Sequence, residues 1–392
     1  MIDTSVEPST RQALPWTRRG HIPRLDGLRA VSIALVVLSH CAPTIHSPLA
    51  TRLLNYVNAG HLGVTSFFVI SGFLITILLL REHTSDGVIS LKSFYKRRAL
   101  RLVPAYVTYL VVAGALAFFS VAGCRLEEKY WWAASTYTMC FMPKLNSAWN
   151  VGHLWSLSVE EHFYLIWPLL MTWFKPRIAF ASAIAYVVTT PFLRFTLWRL
   201  HSESLDIDFC SPTQMSSIAV GCVLGYCVFY YGAQIQFRLS RVRSMVLVAV
   251  AFGGLATSVG LAHVSGKFGI VLQDPISASC FALIILGILF RDGDSFFSML
   301  ESRPFKVIGV LSYSIYLWQQ LFTGSGHFWA GRWPQNLLFI LLAAVLSYRL
   351  VELPFLRIKR RLAVTRTCAN PEAAAVDPPS VHLGAAIAGR SR

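Results

Sequence analysis

An all-α polytopic integral membrane bundle of about ten transmembrane helices, with both termini cytoplasmic, is the fold class this sequence predicts. Three observations predict it. Hydrophobic residues make up 55% of the 392 and charged ones only 14%, where a soluble domain carries about 25% charged. The apolar residues recur in span-length segments along the chain, not in one anchor. The formal net charge is +16, and an inside N-terminus places most of the Lys and Arg residues on inside segments, so the basic excess reports orientation, not nucleic-acid binding.

Residues 1–22 are polar, with Arg11, Arg18, Arg19 and His21 and no apolar core. They are expected to be a disordered cytoplasmic segment, not a cleaved signal peptide. The membrane domain is expected over 23–361. It opens on RLDGLRAVSIALVVLSH, Arg24 to His40, whose charged start (Arg24, Asp26, Arg29) leads into a first span over Leu28–Ala42. Arg29 and His40 lie about three helical turns apart on one face, with about 16 Å of rise between them. Ionisable groups inside spans are costly and commonly line a pathway or site.

The second span, Leu62–Leu80, contains FFVISGFLIT, where Ser71-Gly72 invites close helix packing. A basic lead-in, KSFYKRRALRLVPAYV from Lys92 to Val107, enters a third span ending near Val121. Arg98 and Arg101, at i and i+3, share a face there, and two guanidiniums can grip a phosphate, whereas Lys96 and Arg97 suit lipid headgroups. A loop over Ala122–Leu154, rich in Trp and Tyr, delivers HLWSLSVEEHFYLIWPLL, His153 to Leu170. Ser158 is expected to cap this fourth helix, with Glu160 and Glu161 in its first turn. These carboxylates point about 100° apart, so one is expected to face a site.

The remaining spans are expected over Ile178–Trp198, Thr213–Tyr231, Met245–His263, Ile270–Phe290, Val307–Phe322 and Gln335–Leu353. Two motifs stand out: GVLSYSIYLWQQ, with Ser312, Tyr313, Ser314 and Tyr316 suited to interhelical hydrogen bonds, and VELPFLR, where Glu352 could pair with Arg349 at i and i+3. Residues 362–392 are expected to form a disordered cytoplasmic tail. The eight cysteines show no CxxC or Cys/His metal spacing, so no metal is expected; Cys124 and Cys140 share the outer loop, where a disulfide is one option. By this topology Arg29, Arg98 and Arg101 face the cytoplasmic side, and His40 and Glu160-Glu161 the outer half.

Together these motifs resemble the acyltransferase-3 family of integral membrane acyltransferases, which O-acylate envelope glycans and macrolides. RLDGLRA with His40 matches its Arg-then-His signature and R98-A-L-R101 its Arg-x-x-Arg signature; FFVISGFLIT, SLSVEEHFYLIWP, SYSIYLW and VELPF are similar to family motifs. The resemblance covers about 22–360 and implies a stand-alone member without a C-terminal hydrolase-like domain. It implies acyl-CoA, most often acetyl-CoA, as co-substrate, with Arg29, Arg98 and Arg101 as its binding residues. His40 is then expected as general base or acyl relay, with Glu160 or Glu161 orienting it or holding the acceptor, and Asp26, Ser71, Tyr313 and Glu352 in support. The expected acceptor is a hydroxyl of a glycan or lipid-linked saccharide, in a bacterial inner membrane, with membrane lipids as further partners and homo-oligomers allowed. A macrolide or other small-molecule acceptor is the alternative within the enzyme class. A proton-coupled transporter or flippase is the alternative outside it.

Overall fold

The computed structural model describes residues 22–121, 127–142, 148–200, 206–239, 241–290, 298–323 and 328–359. Most of each expected disordered end, and Cys124 with its disulfide option, lie outside these. Ten long helices run through the described residues: α1 Pro23–Cys41, α2 Ala59–Asp86, α3 Leu91–Phe118, α4 Leu154–Trp173, α5 Pro176–Arg199, α6 Ser211–Arg238, α7 Arg241–Val264, α8 Gly266–Leu289, α9 Arg303–Trp318 and α10 Gln335–Ser347. A π-helical turn, Tyr348–Glu352, carries α10 onward to Lys359. The chain is thus an all-α polytopic membrane bundle.

Eight of the ten helices are long and apolar enough to cross a bilayer; α4 and α9 are not. This corrects the expectation of ten equivalent spans. At 16 residues, α9 rises about 24 Å, short of a hydrocarbon core of about 30 Å. The 20-residue α4 carries Glu160, Glu161 and His162 in its first half. Both helices are instead held inside the bundle by packing and polar contacts.

Local chemistry sets several helix ends. A proline in the first turn of α1 supplies helical φ where no intrahelical donor is needed, and Asp26 complements the positive end of the helix dipole. The expected cap at Ser158 is not found. α4 begins four residues earlier, at Leu154, and the Ser158 hydroxyl donates back to the Leu154 carbonyl at 3.0 Å, because the apolar run from Leu154 already has a core to pack on.

The centre of the bundle is α2, packed along its length on α6 and also on α1. Gly72 and Gly221 make that approach: a Cβ at Gly72 would collide with the Ile218 carbonyl, and one at Gly221 with the Val69 carbonyl. α2 also joins the two apolar cores. Phe68 and Leu79 belong to the core that also takes residues of α3, α4 and α9, while Val69 and Phe73 belong to the one that takes residues of α7 and α8.

Gly72→Leu is expected to lower stability by about 3 kcal/mol through overpacking, read as a fall in detergent-phase melting temperature by fluorescence-detected size exclusion. Ser71→Ala, one position away on a cavity wall, is expected to cost no more than about 1 kcal/mol.

Candidate functional site

A cavity of about 220 Å³ opens among α1, α2, α3, α4 and α9. Its polar wall is Arg29, Ser71, Arg98, Arg101, Glu160, Tyr164, Ser312, Tyr313 and Tyr316, and its apolar wall includes Phe67, Phe68, Leu74, Leu78 and Phe94. Arg98 is the hub. Its Nε donates to Glu161 Oε1 at 3.2 Å, its Nη2 lies 3.7 Å from Glu160 Oε2, and its guanidinium carbon stacks 3.0 Å from the centre of the Tyr164 ring. The Tyr164 hydroxyl meets Ser71 Oγ, and Ser71 also hydrogen-bonds Glu160.

Around this hub the other candidates take their places. Arg29 lies within electrostatic reach of Asp26, Arg101 and Glu160. Tyr313 donates to the Leu102 carbonyl at 2.9 Å, tying α9 to α3. Glu352, buried at 5% exposure, takes a hydrogen bond from Ser314, not the charge of Arg349. The π-helical turn directs Glu352 inward, and Arg101 is within its electrostatic reach. Such turns recur at functional positions.

A second cavity, about 510 Å³, lies at the other end of α1. Its inner wall holds His40, His61, His153, Trp155, Asp274 and Tyr316, and its rim Asn55, Tyr56, Asn58 and His263. Val64 and Tyr316 line both cavities, so they form a shared partition. His40 Nδ1 lies 3.1 Å from Gln319 Oε1, and its ring meets Trp149 edge to face at 5.7 Å. With Gln319 Oε1 as the acceptor, the proton sits on Nδ1 and Nε2 keeps a lone pair. His153 Nε2 donates to the Leu317 carbonyl at 3.1 Å, while Tyr316 Oη donates to the His153 carbonyl at 2.7 Å and contacts Ser156 Oγ at 2.5 Å.

Arg29, Arg98 and Arg101 line one cavity, with Ser71, Glu160 and Tyr313 in the same wall. The Glu160-Glu161 pair is not beside His40 in the outer half, which corrects that expectation. Because α4 starts at Leu154, Glu160 lies about 9 Å into the helix, at the level of Arg98, and two carboxylates inside a bundle settle against a cation. His40 is oriented by Gln319 and Trp149 instead. Sequence reasoning passed over His153, Gln319 and Tyr164, and read Tyr316 only as interhelical glue. The polar pair Gln319-Gln320 closing an apolar run was the available signal, since buried amides need partners.

A bundle that encloses a charged cavity and an imidazole-lined one, separated by a tyrosine, is a membrane protein with a polar site inside it. Residues 22–350 match the family described as acyltransferase domain, and the chain belongs to that family. It is 27% identical over 359 residues to O-acetyltransferase OatA of Staphylococcus aureus strains NCTC 8325 and COL, covering 85% of this chain and 57% of each relative. A further S. aureus protein, from strain COL and provisionally named an O-acetyltransferase, is 25% identical over 383 residues, covering 88% of this chain and 59% of the relative. The chain thus spans a little over half the length of these relatives. No solved structure matches it.

Arg98→Met should strand two carboxylates, Glu160 at 19% and Glu161 at 29% exposure, lowering stability by roughly 2 kcal/mol. Adding Glu160→Gln and Glu161→Gln should recover most of that loss in the same melting assay. Failure to recover would mean that Arg98 acts by packing alone.

Proposed function

We propose that the chain is an acyl-CoA-dependent O-acyltransferase that moves an acyl group, acetyl by analogy with the names of its relatives, to a hydroxyl of a cell-envelope or exported glycan. The observation that carries this reading is the meeting of the two cavities at Tyr316 and Val64. One side offers guanidiniums for a phosphorylated donor, the other an imidazole with a free lone pair for the acceptor.

In this reading the donor binds from the cytoplasm, with both termini on that side as the charge distribution supports. Arg29, Arg98 and Arg101 hold CoA phosphates near the cavity mouth, and the apolar wall takes the pantetheine arm. Asp26, Glu160, Glu161 and Glu352 keep the guanidiniums compensated when no donor is present, and Ser71 and Tyr313 hold the wall in shape. The thioester then reaches the partition. His40 Nε2 takes the proton of the acceptor hydroxyl as its oxygen attacks the thioester carbon, the C–S bond breaks, and the thiolate receives a proton as CoA leaves. In the relay form, Nε2 itself is acylated and the acceptor oxygen displaces it. No metal is invoked in either form. The bacterial relatives and the membrane fold support a bacterial cytoplasmic membrane location.

Release of free CoA from acetyl-CoA, with and without cell-envelope glycan, tests the reading on protein in nanodiscs. Glycan-dependent release is expected from the wild type, falling at least roughly a hundredfold in His40→Ala if general-base catalysis is lost, with the melting temperature retained. Full activity in His40→Ala would remove that residue's role, and absence of release with any acyl-CoA from folded protein would favour a carrier. Arg101→Ala is expected to raise KM for acetyl-CoA about tenfold, the scale of one charge-assisted hydrogen bond, while changing kcat little.

A further inference from the structure

The outer cavity contains an ion network that the transfer chemistry above does not use. His61 Nε2 lies 2.5 Å from Asp274 Oδ1. Asp274 Oδ2 lies 2.9 Å from Arg194 Nη1 and accepts from Gln214 Nε2 at 2.9 Å. Arg194, only 1% exposed, also holds Asp208 at 2.8 Å. Burying a guanidinium among three helices for packing alone is costly, and this network ends on three groups, His61, Asp208 and Asp274, that line the cavity.

Helix geometry brings His61 to the same chamber as His40. A Cβ at Gly60 would lie 3.0 Å from Ser39 Oγ, so α1 and α2 touch there, and the next residue on each helix is a histidine on the cavity wall. Asp274 occupies one ring nitrogen of His61 and leaves the other for a hydroxyl. Around the mouth, Asn55, Asn58 and Gln273 supply amides that both donate and accept. Tyr56, half-exposed, stacks on His263 at 4.2 Å and 10°, giving a flat aromatic edge. The charge balance is selective. Neither lysine nor arginine lines the cavity among the described residues, and Arg194 is shared between two carboxylates behind it. A phosphate or carboxylate would find no uncommitted cation.

We propose that this cavity is the acceptor site, that it takes an uncharged polyhydroxyl unit of a saccharide, and that His61, held by Asp274, hydrogen-bonds the acceptor and positions it against His40. The direction of transfer rests on the acyltransferase reading above; the saccharide site itself does not.

Intrinsic tryptophan fluorescence reports on the site through Trp155 in its wall. Wild type, His61→Phe and Gln273→Leu in nanodiscs are titrated with chitotetraose and cellotetraose, with tetragalacturonate as an anionic counterpart, and separately with acetyl-CoA. His61→Phe leaves Asp274 with Arg194 and Gln214, so no charge is stranded, and Gln273→Leu lies outside the ion network. Saturable binding of a neutral oligosaccharide is expected, weakened about tenfold in each variant by loss of one hydrogen bond, with tetragalacturonate weaker and acetyl-CoA binding unchanged. Unchanged saccharide affinity in both variants, tighter binding of the anionic sugar, or no saturation by either neutral sugar at millimolar concentration would overturn the proposal. Saccharide binding as expected in protein that fails to bind acetyl-CoA would uphold the acceptor site and overturn the donor reading.

Discussion

A guanidinium among apolar helices has to be compensated where it sits, and Arg98 shows how much of this bundle is arranged around that requirement. Its charge is met by Glu161 and Glu160 from α4, and its face by the Tyr164 ring. Those three residues lie within about one turn of each other, which turns that stretch of α4 into the bundle, while Leu165, Ile166 and Trp173 further along the helix stay exposed. Arg29 and Arg101 line the same cavity, with Asp26 and Glu160 within electrostatic reach of the first and Glu352 of the second. In the proposed reading, donor phosphates take these guanidiniums over from the carboxylates.

The same principle recurs at the other end with opposite sign. There a single buried Arg194 serves two carboxylates, and imidazoles and amides line the space in front of them. The two cavities thus differ in the charge they present, and a hydroxyl-bearing tyrosine stands between them. A thioester coming from the cationic side and an alcohol coming from the other would meet at His40 without either having to cross the whole bilayer. This division is what makes the tertiary arrangement more informative than the count of membrane spans.

Much of this was legible from local sequence. The i, i+3 spacing of Arg98 and Arg101 places both on one face because helix geometry is fixed by the backbone, and Arg29 and His40 likewise define the two ends of one helix. What local pattern could not supply was the vertical register between helices. Glu160 and His40 looked like neighbours by topology, yet α4 begins at Leu154 and brings its carboxylates to Arg98. Similarly, Arg349 is the sequence neighbour of Glu352, but the π-helical turn hands that carboxylate to Ser314. Asp274 pairs with His61 across more than two hundred residues, and no short-range spacing announces such a contact. The family resemblance pointed to the chemistry; only packing separated the groups into two chambers.

The most direct test of transfer between the chambers is sidedness. Protein reconstituted in one orientation into sealed vesicles, with radiolabelled acetyl-CoA confined to the face bearing the Arg98 cavity and saccharide acceptor to the other, should give labelled acceptor. Reversing the two should give none. Equal labelling in both arrangements, or labelling only when donor and acceptor share a face, would contradict a path running from the guanidinium cavity to His40.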